Sequence, residues 1–168
     1  KSHDTTVRLI RMYGMRDKDH IELNGINSRL DEIQAAILRL KLPTLDKKNA
    51  IRNKIATYYQ QNLNPEFVHC HKVSDNVVSN YHVFSVRIPR YRDELMRYLT
   101  EKEIQTNVYY LMPIPYQKAN QHLGYKKGDL PRCEKVCSEA LSLPMYPEME
   151  MVDVEKTVFH INSFFKNV

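Results

Sequence analysis

Asn27 and Arg29 are the residues near the start of the chain whose types are best suited to binding an anion. They flank Ser28, which the sequence predicts to cap the N-terminus of a helix. Backbone amides at a helix start, an amide side chain and a guanidinium can together hold a phosphate group. In the other interpretation, Asn27 only shapes the turn and Arg29 is a solvated residue of the first helical turn. The spacing alone leaves both interpretations open.

A second cluster of polar and aromatic residues occupies positions 107–117, where a predicted strand ends in a proline-containing loop. Its tyrosines, Tyr109 and Tyr110 among them, could stack on a sugar or hydrogen-bond to a ring ligand. Equally, they could be packing residues whose hydroxyl groups reach water. The sequence therefore provides a candidate binding loop and leaves the packing interpretation open.

Metal ligation and nucleophilic catalysis find little support in the sequence. His69, Cys70 and His71 alternate on a predicted strand, so the two imidazoles face one way and the thiol the other, without a second ligand pair nearby. Cys133 and Cys137 fall four residues apart on a predicted helix, where we expect them to pack as small apolar side chains. The four glycines form neither a nucleophile elbow nor a phosphate-binding loop. We therefore predict no metal site and no catalytic residue within this chain.

The composition is that of a globular protein and argues against several function classes. The chain has 168 residues, 42% hydrophobic and 27% charged, and its apolar runs fall far short of the roughly 20 residues that span a bilayer. The net charge of +5 is interleaved with acidic residues, and zinc-finger spacings and RNA-binding aromatic strands are missing. Three cysteines, an odd number, indicate a reducing compartment. We predict a cytoplasmic protein without a membrane or nucleic-acid partner.

Two consecutive helices are predicted to follow the anion-binding candidate. The first begins at Ser28, with Asp31 as its capping-box partner. Pro43 starts the second helix, which runs to about Leu63. Apolar residues of the first helix recur every three or four positions and form a face suited to burial: Leu30, Ile33, Ile37 and Leu40. With an earlier helix at 4–13, residues 1–63 are predicted to be a helical segment.

Residues 64–168 are predicted to form a small α+β domain. β-branched and aromatic residues become frequent, and their alternation predicts strands at 67–72, 80–88 and 104–110. A helix at 92–102 completes a β-α-β unit in which parallel pairing is possible. Further helices are predicted at 116–123, 132–140 and 152–165, with a short extended piece at 141–144. The predicted fold class is α+β, a long helical arm followed by a small sheet with helices on one face.

The segment Gly25–Leu38, continued by Lys41-Leu42 and Leu45-Asp46, resembles a signature of the DegT/StrS family of pyridoxal-phosphate-dependent nucleotide-sugar aminotransferases. In that family the signature opens the C-terminal part. Four further stretches agree in the same order: Arg11–Gly14, Tyr81–Phe84 with Arg92–Leu95, Gly128–Pro131 with Glu134, and Leu141–Pro147. The resemblance covers nearly all of the chain, and several long motifs in one order are not expected by chance.

The resemblance implies the C-terminal small domain of a fold type I aminotransferase, normally a homodimer with active sites at the subunit interface. Residues 1–63 then form the interdomain or dimer arm that leads from the large domain. In the family the Schiff-base lysine, the aspartate facing the pyridine nitrogen and the aromatic residue stacked on the ring all precede the position equivalent to Lys1. We therefore expect the chain alone to be inactive and not to retain pyridoxal 5'-phosphate (PLP).

The resemblance also implies roles for five residues. Asn27 matches the asparagine that reaches a cofactor phosphate across the dimer interface, and Arg29 beside it is assigned to the phosphate or the sugar nucleotide. Tyr109 and Tyr110 match a His-Tyr pair that lines the sugar pocket in many members. Gln117 keeps the family pattern further along and is assigned to the same substrate site.

Three positions of the candidate binding loop depart from the family pattern. Tyr109 stands in place of the histidine, Leu111 in place of the first proline and Pro115 in place of a later histidine. Sugar specificity, and amino transfer itself, are therefore open at this point.

The implied reaction is amino transfer from glutamate, the amino-acid donor, to a keto-sugar carried on a nucleoside diphosphate. Such reactions belong to deoxysugar and cell-surface polysaccharide biosynthesis, including that of lipopolysaccharide. The alternative is a non-catalytic module derived from the family, which oligomerises or binds a partner through its exposed helix stripe.

Overall fold

The structure, a computed structural model, describes residues 2–168. The chain divides into two compact units, Lys1–Leu45 and Asp46–Val168, which we name the N-terminal unit and the C-terminal unit. Within the described residues, every helix is too short or too polar to cross a membrane.

The N-terminal unit consists of two helices and a short antiparallel hairpin. In chain order these are α1 (Ser2–Arg11), β1 (Met15–Asp17), β2 (His20–Ile21), α2 (Glu32–Lys41) and a 3-10 turn (Leu42–Thr44). The hairpin lies in a stretch whose charged, aperiodic sequence predicts only a loop. Its strands were missed because their side chains are mostly exposed and show no alternation of apolar residues.

Helix α2 begins later than predicted, so the assignment of Ser28 as N-cap is wrong. Asp31 is the N-cap, and it forms a capping box with Gln34, whose Oε1 accepts the Asp31 N–H at 3.3 Å. The Ser28 N–H instead donates to the Arg11 carbonyl oxygen at 3.0 Å. The first backbone hydrogen bond of α2 is donated by the Ala35 N–H to the Asp31 carbonyl oxygen at 2.8 Å.

The C-terminal unit is built around a three-stranded antiparallel sheet of order β3-β4-β5. The strands are β3 (His69–Cys70), β4 (Phe84–Arg87) and β5 (Ala140–Leu143). The helices are α3 (Leu45–Asn62), α4 (Arg92–Glu101), α5 (Pro131–Glu139) and α6 (Met151–Lys166), with 3-10 turns at Ile114–Tyr116 and Lys118–Leu123. Mixed helices and a small sheet confirm the predicted α+β class.

The third predicted strand, at residues 104–110, is wrong, and so is the parallel pairing considered for it. In this stretch only Asn107 pairs, in an isolated antiparallel bridge to Ser142 with N···O distances of 3.1 and 2.8 Å. Beyond Asn107 the chain leaves the sheet, and Tyr109 and Tyr110 are exposed. The apolar and aromatic residues that predicted a strand therefore form a loop.

The core of the C-terminal unit is formed by α3, α4, α6 and the central strands. The alternation at 80–88 agrees with burial only in its second half, since Phe84, Val86 and Ile88 are buried whereas His82 is exposed. Helix α3 contributes to the same core: Ile55, Ala56 and Tyr59. The boundary between the two compact units therefore falls after residue 45, whereas the sequence predicts a domain boundary at 63/64.

Candidate functional site

The Asn27–Arg29 corner is held against the end of α1 by a backbone ladder. Ile26 N–H donates to the Ile10 carbonyl oxygen at 2.8 Å, and Asn27 forms an isolated antiparallel bridge with Met12. Arg29 Nε donates to Asn27 Oδ1 at 3.3 Å, so the structure brings the two predicted cofactor residues together. Both side chains are exposed.

Two glycines allow this close approach of the backbone. Gly14 has φ +76°, and a Cβ placed there would lie 1.6 Å from the Leu23 carbonyl oxygen. A Cβ on Gly25 would lie 2.1 Å from the Gly14 nitrogen. Side chains at either position would therefore push apart the segments that place Asn27 beside α1.

The chemistry of the corner fits a phosphate. Asn27 Oδ1, an acceptor, is directed to Arg29, which leaves the Asn27 amide group and the terminal guanidinium nitrogens as donors. The corner thus offers donors and a positive charge. Helix amides add less than predicted, because α2 starts at Glu32 and its first turn is already capped by Asp31.

Tyr109 and Tyr110 line one cavity of the C-terminal unit, of about 570 Å³, in which most of the lining is apolar. The two tyrosine side chains are 58% and 66% exposed, so they are open to a ligand and are not core residues. Gln117 is not among the lining residues of this cavity. Its N–H donates to the Ile114 carbonyl oxygen at 3.1 Å, and its side chain is exposed. The structure therefore brings together the two tyrosines but not Gln117.

A second, more polar cavity of about 440 Å³ overlaps the first, and the two share these lining residues: His82, Val83, Asn107, Tyr109 and Ser142. Its lining includes Asn107, from the cluster at 107–117, and polar side chains that sequence reasoning did not select: His82, Gln105 and Thr106. Within the described part of the chain, the buried Thr106 Oγ1 has no hydrogen-bond partner. A signal for His82 was present, because it belongs to the stretch Tyr81–Phe84.

Glu134 and Tyr116 are a further pair that the sequence did not single out as functional. Tyr116 OH donates to Glu134 Oε1 at 2.6 Å. This bond is the main reason why the pKa of the Glu134 carboxyl lies below its ordinary value. Burial, and then the carboxylate, raise the pKa of the Tyr116 hydroxyl. Glu134 could have been noticed as the last residue of the motif at 128–134.

The cysteine and histidine residues have ordinary structural surroundings. His69 and His71 are exposed, and burial raises the pKa of the half-buried Cys70 thiol. Cys137 is buried in α5, and burial raises the pKa of its thiol as well. Across residues 2–168 there is no group of three or more histidine, cysteine or acidic side chains that could hold a metal ion.

Comparison with known proteins gives one consistent family. Residues 1–162 match the model described as the DegT/DnrJ/EryC1/StrS aminotransferase family. A pleiotropic regulatory protein of Geobacillus stearothermophilus is 41% identical over 95% of this chain and 44% of its own length. The dTDP-3-amino-3,6-dideoxy-alpha-D-galactopyranose transaminase of Aneurinibacillus thermoaerophilus is 37% identical over 94% of this chain and 43% of its own length.

The structural comparison agrees with the sequence comparison. The crystal structure of S. venezuelae DesV in complex with a ketimine intermediate superimposes with a TM-score of 0.89 at 33% identity, covering 96% of this chain and 43% of DesV. A family aminotransferase from Brucella abortus gives a TM-score of 0.85 at 32% identity, over 95% of this chain and 43% of its own. The chain therefore spans less than half the length of the relatives that it matches.

Proposed function

The chain belongs to the DegT/DnrJ/EryC1/StrS aminotransferase family, and on that premise we propose that it is the C-terminal part of a PLP-dependent sugar aminotransferase. The enzyme would transfer an amino group from glutamate to a nucleotide-linked keto-sugar. The observation that carries the proposal is the family match over residues 1–162, which includes both the Asn27–Arg29 corner and the tyrosine loop. Transaminases of dTDP-linked sugars among the relatives support this substrate class.

We assign the phosphate of PLP to the Asn27–Arg29 corner. Asn27 would donate its amide N–H groups to a phosphate oxygen, while Arg29 orients that amide through Oδ1 and adds positive charge. When bound, PLP supplies the electron sink that makes amino transfer possible. The corner lies on the surface of the N-terminal unit. This exposure is required if other residues are to complete the phosphate site.

We assign the sugar to the loop that carries Tyr109 and Tyr110. Both rings are exposed at the mouth of a cavity, where they can stack on the apolar face of a sugar and donate hydroxyl hydrogen bonds. Gln117 stays a proposed substrate contact, made from outside this cavity. Because Tyr109, Leu111 and Pro115 depart from the family pattern, we expect the shape of the sugar pocket to differ from that of other family members.

The remaining features of the proposal follow from the same family. None of the lysines of this chain matches the family's lysine motif, so we expect no transamination by the 168 residues alone. The complete protein is proposed to be a cytoplasmic homodimer in deoxysugar or cell-surface polysaccharide biosynthesis.

The test is product analysis of the complete protein. The PLP-loaded protein is incubated with glutamate and a panel of dTDP- and UDP-linked keto-sugars, and the products are identified by mass spectrometry. We expect one keto-sugar to gain an amine in place of its carbonyl oxygen, with one 2-oxoglutarate formed for each glutamate consumed. If every sugar is recovered unchanged, the proposed function is wrong.

A non-catalytic, oligomerising role is a second candidate, and one observation favours it. Helix α2 has no buried residue, and its apolar side chains are exposed along the helix: Ile33, Ile37, Leu38 and Leu40. Exposed apolar surface of this kind marks an interaction surface. Under this proposal the 168-residue chain forms a defined oligomer in sedimentation velocity, and a monodisperse monomer would exclude it.

A further inference from the structure

One carboxylate oxygen of the C-terminal unit accepts hydrogen bonds from three donors of a long loop. Glu134 Oε1 lies 2.6 Å from Tyr116 OH, 2.8 Å from Gly128 N and 3.3 Å from Leu130 N. The Leu130 N–H also lies 3.3 Å from Tyr116 OH. We call this set, Tyr116, Gly128, Leu130 and Glu134, the Glu134 clamp. It ties two distant points of the loop to the first turn of α5.

The clamp is continuous in sequence with residues 108–112, which carry Tyr109 and Tyr110 and which we call the tyrosine segment. Tyr116 ends a 3-10 turn in which its N–H donates to the Pro113 carbonyl oxygen at 2.9 Å. Pro113 is buried and has a restricted φ, so this hydrogen bond joins Tyr116 to a residue with little backbone freedom. Fixing the Tyr116 hydroxyl therefore fixes the downstream end of the tyrosine segment.

The upstream end of the same segment is fixed by the sheet. Asn107 exchanges both backbone hydrogen bonds with Ser142 of β5. Between these two anchors, residues 108–112 make no backbone hydrogen bond to any described residue. Tyr109 and Tyr110 therefore lie between two fixed points, the Asn107–Ser142 bridge and the Glu134 clamp. The direction of their side chains depends on both.

We propose that Glu134 is a positioning residue for sugar binding, which acts by holding the tyrosine segment in its binding shape. The inference rests on the proposed function, since it assigns Glu134 a role in the site that Tyr109 and Tyr110 form there. Glu134 itself bonds only to the loop and does not line the tyrosine cavity. Donation from Tyr116 and Gly128 holds the pKa of its carboxyl below the ordinary value.

The kinetic test compares variants of the complete, PLP-loaded protein. We expect E134A to raise the KM for the keto-sugar about tenfold, as expected for loss of hydrogen bonds to a charged group, with the kcat changed less. The KM for glutamate should not change, because the tyrosines contact the sugar. E134Q keeps one acceptor oxygen and should recover part of the loss. A wild-type sugar KM in E134A would overturn the proposal.

Two further variants separate positioning from general stability. Y116F keeps the ring and loses only the donor hydroxyl, so it should raise the sugar KM in the same direction, and E134A/Y116F should be no worse than E134A. Glu94 occupies the first turn of α4 and makes only an exposed, 3.8 Å contact with Arg97. E94A therefore controls for loss of a first-turn carboxylate, and an equal rise in sugar KM there would overturn the assignment. If E134A does not fold, Y116F and E134Q decide.

Hydrogen–deuterium exchange supplies a readout that does not need turnover. The hydrogen-bonded amides of the loop should exchange faster in E134A than in wild type or E94A: those of Tyr116, Gln117, Gly128 and Leu130. Unchanged exchange would overturn the clamp even if the enzyme is active. Failure of the wild-type protein to aminate any keto-sugar would instead defeat the proposed function, and the exchange data would still decide whether Glu134 holds the loop.

Discussion

The two units of the chain use apolar residues in opposite ways. In the C-terminal unit, the apolar faces of the helices are buried, and Leu95, Leu99 and Ile161 are fully inaccessible. In the N-terminal unit, helix α2 has an equally regular apolar pattern, yet Ile33 and Leu40 are 77% and 79% exposed. This difference shows that helical periodicity identifies a surface suited to burial but does not identify what covers that surface.

The two units also differ in what they contribute, a hydrophobic core in the C-terminal unit and an exposed candidate binding site in the N-terminal unit. The C-terminal unit has its own core, which supplies the hydrophobic free energy of folding. The Asn27–Arg29 corner, by contrast, lies on exposed backbone that is held by hydrogen bonds and two glycines. Substitutions in the two units should therefore have different consequences.

The largest expected difference comes from the same substitution made in both units. L99A opens a cavity in the core of the C-terminal unit and should lower its free energy of unfolding by about 2–5 kcal/mol. L40A removes an exposed side chain from α2 and should change the free energy of unfolding of the protein by less than about 0.5 kcal/mol. Urea denaturation of the two variants measures both values. Equal losses would show that α2 is buried against a partner in solution.

The second test compares one ion pair from each unit. Arg87 Nε donates to Glu139 Oε2 at 2.8 Å, and the Glu139 side chain is buried. E139Q should cost about 1–3 kcal/mol, because a buried charge-assisted bond is lost while Arg87 stays partly solvated. The pair Arg16–Glu22, at 2.6 Å, is exposed. E22Q should cost less than about 1 kcal/mol. A larger effect for E22Q in urea denaturation would reverse the comparison.

The third test asks whether the N-terminal unit matters for the cofactor. N27A in the complete protein should weaken PLP binding about tenfold, the value expected when one hydrogen bond to a charged group is lost. The free energy of unfolding of the apoprotein should not change, because Asn27 is exposed. Absorbance titration with PLP measures the affinity, and N24A, at another exposed asparagine, is the matched control. Equal PLP affinity in N27A and N24A would remove the corner from the cofactor site.

The smallest expected effect is a pH dependence confined to the C-terminal unit. His160 Nδ1 lies 3.2 Å from Tyr98 OH, and burial, followed by the charges of Lys102 and Lys156, lowers the pKa of its imidazole. Since the folded pKa is below the unfolded one, the unfolded state binds more protons, and stability falls as pH drops below the ordinary histidine pKa of about 6.5. The melting temperature of H160Q should fall less than that of wild type between neutral pH and pH of about 5. If the melting temperatures of H160Q and wild type fall equally with pH, the proposed contribution of His160 is wrong.

Local patterns predicted much of the C-terminal unit because burial follows sequence periodicity there. The closing helix was predicted at 152–165 and spans Met151–Lys166, and Phe84 and Val86 of β4, which alternate in the sequence, are both buried. The predicted strand at 104–110 failed because its aromatic residues favour a strand locally, whereas only Asn107 finds a partner. Pairing between distant segments is decided by contacts that no local pattern contains.

The candidate site shows the same division between local and long-range information. Asn27, Arg29, Tyr109 and Tyr110 were selected from residue types and family motifs, and the structure places each pair together in its own unit. Sequence reasoning missed Glu134 because its partners lie up to 18 residues away and are mostly backbone N–H groups. A carboxylate in a first helical turn suits the helix dipole anyway, which gave no reason to suspect a second role.

By itself, the sequence determined the family and the α+β class, and it predicted the approximate positions of the helices and the residues proposed to hold a phosphate and a sugar. These depend on residue types and on spacings of a few positions, which determine local conformation and amphipathicity. Only the tertiary structure decided where α2 begins, that the sheet is antiparallel, that α3 belongs to the second core and that Glu134 closes the tyrosine loop. Each of these depends on hydrogen bonds or packing between segments far apart in the chain, whose free energy exists only once those segments meet.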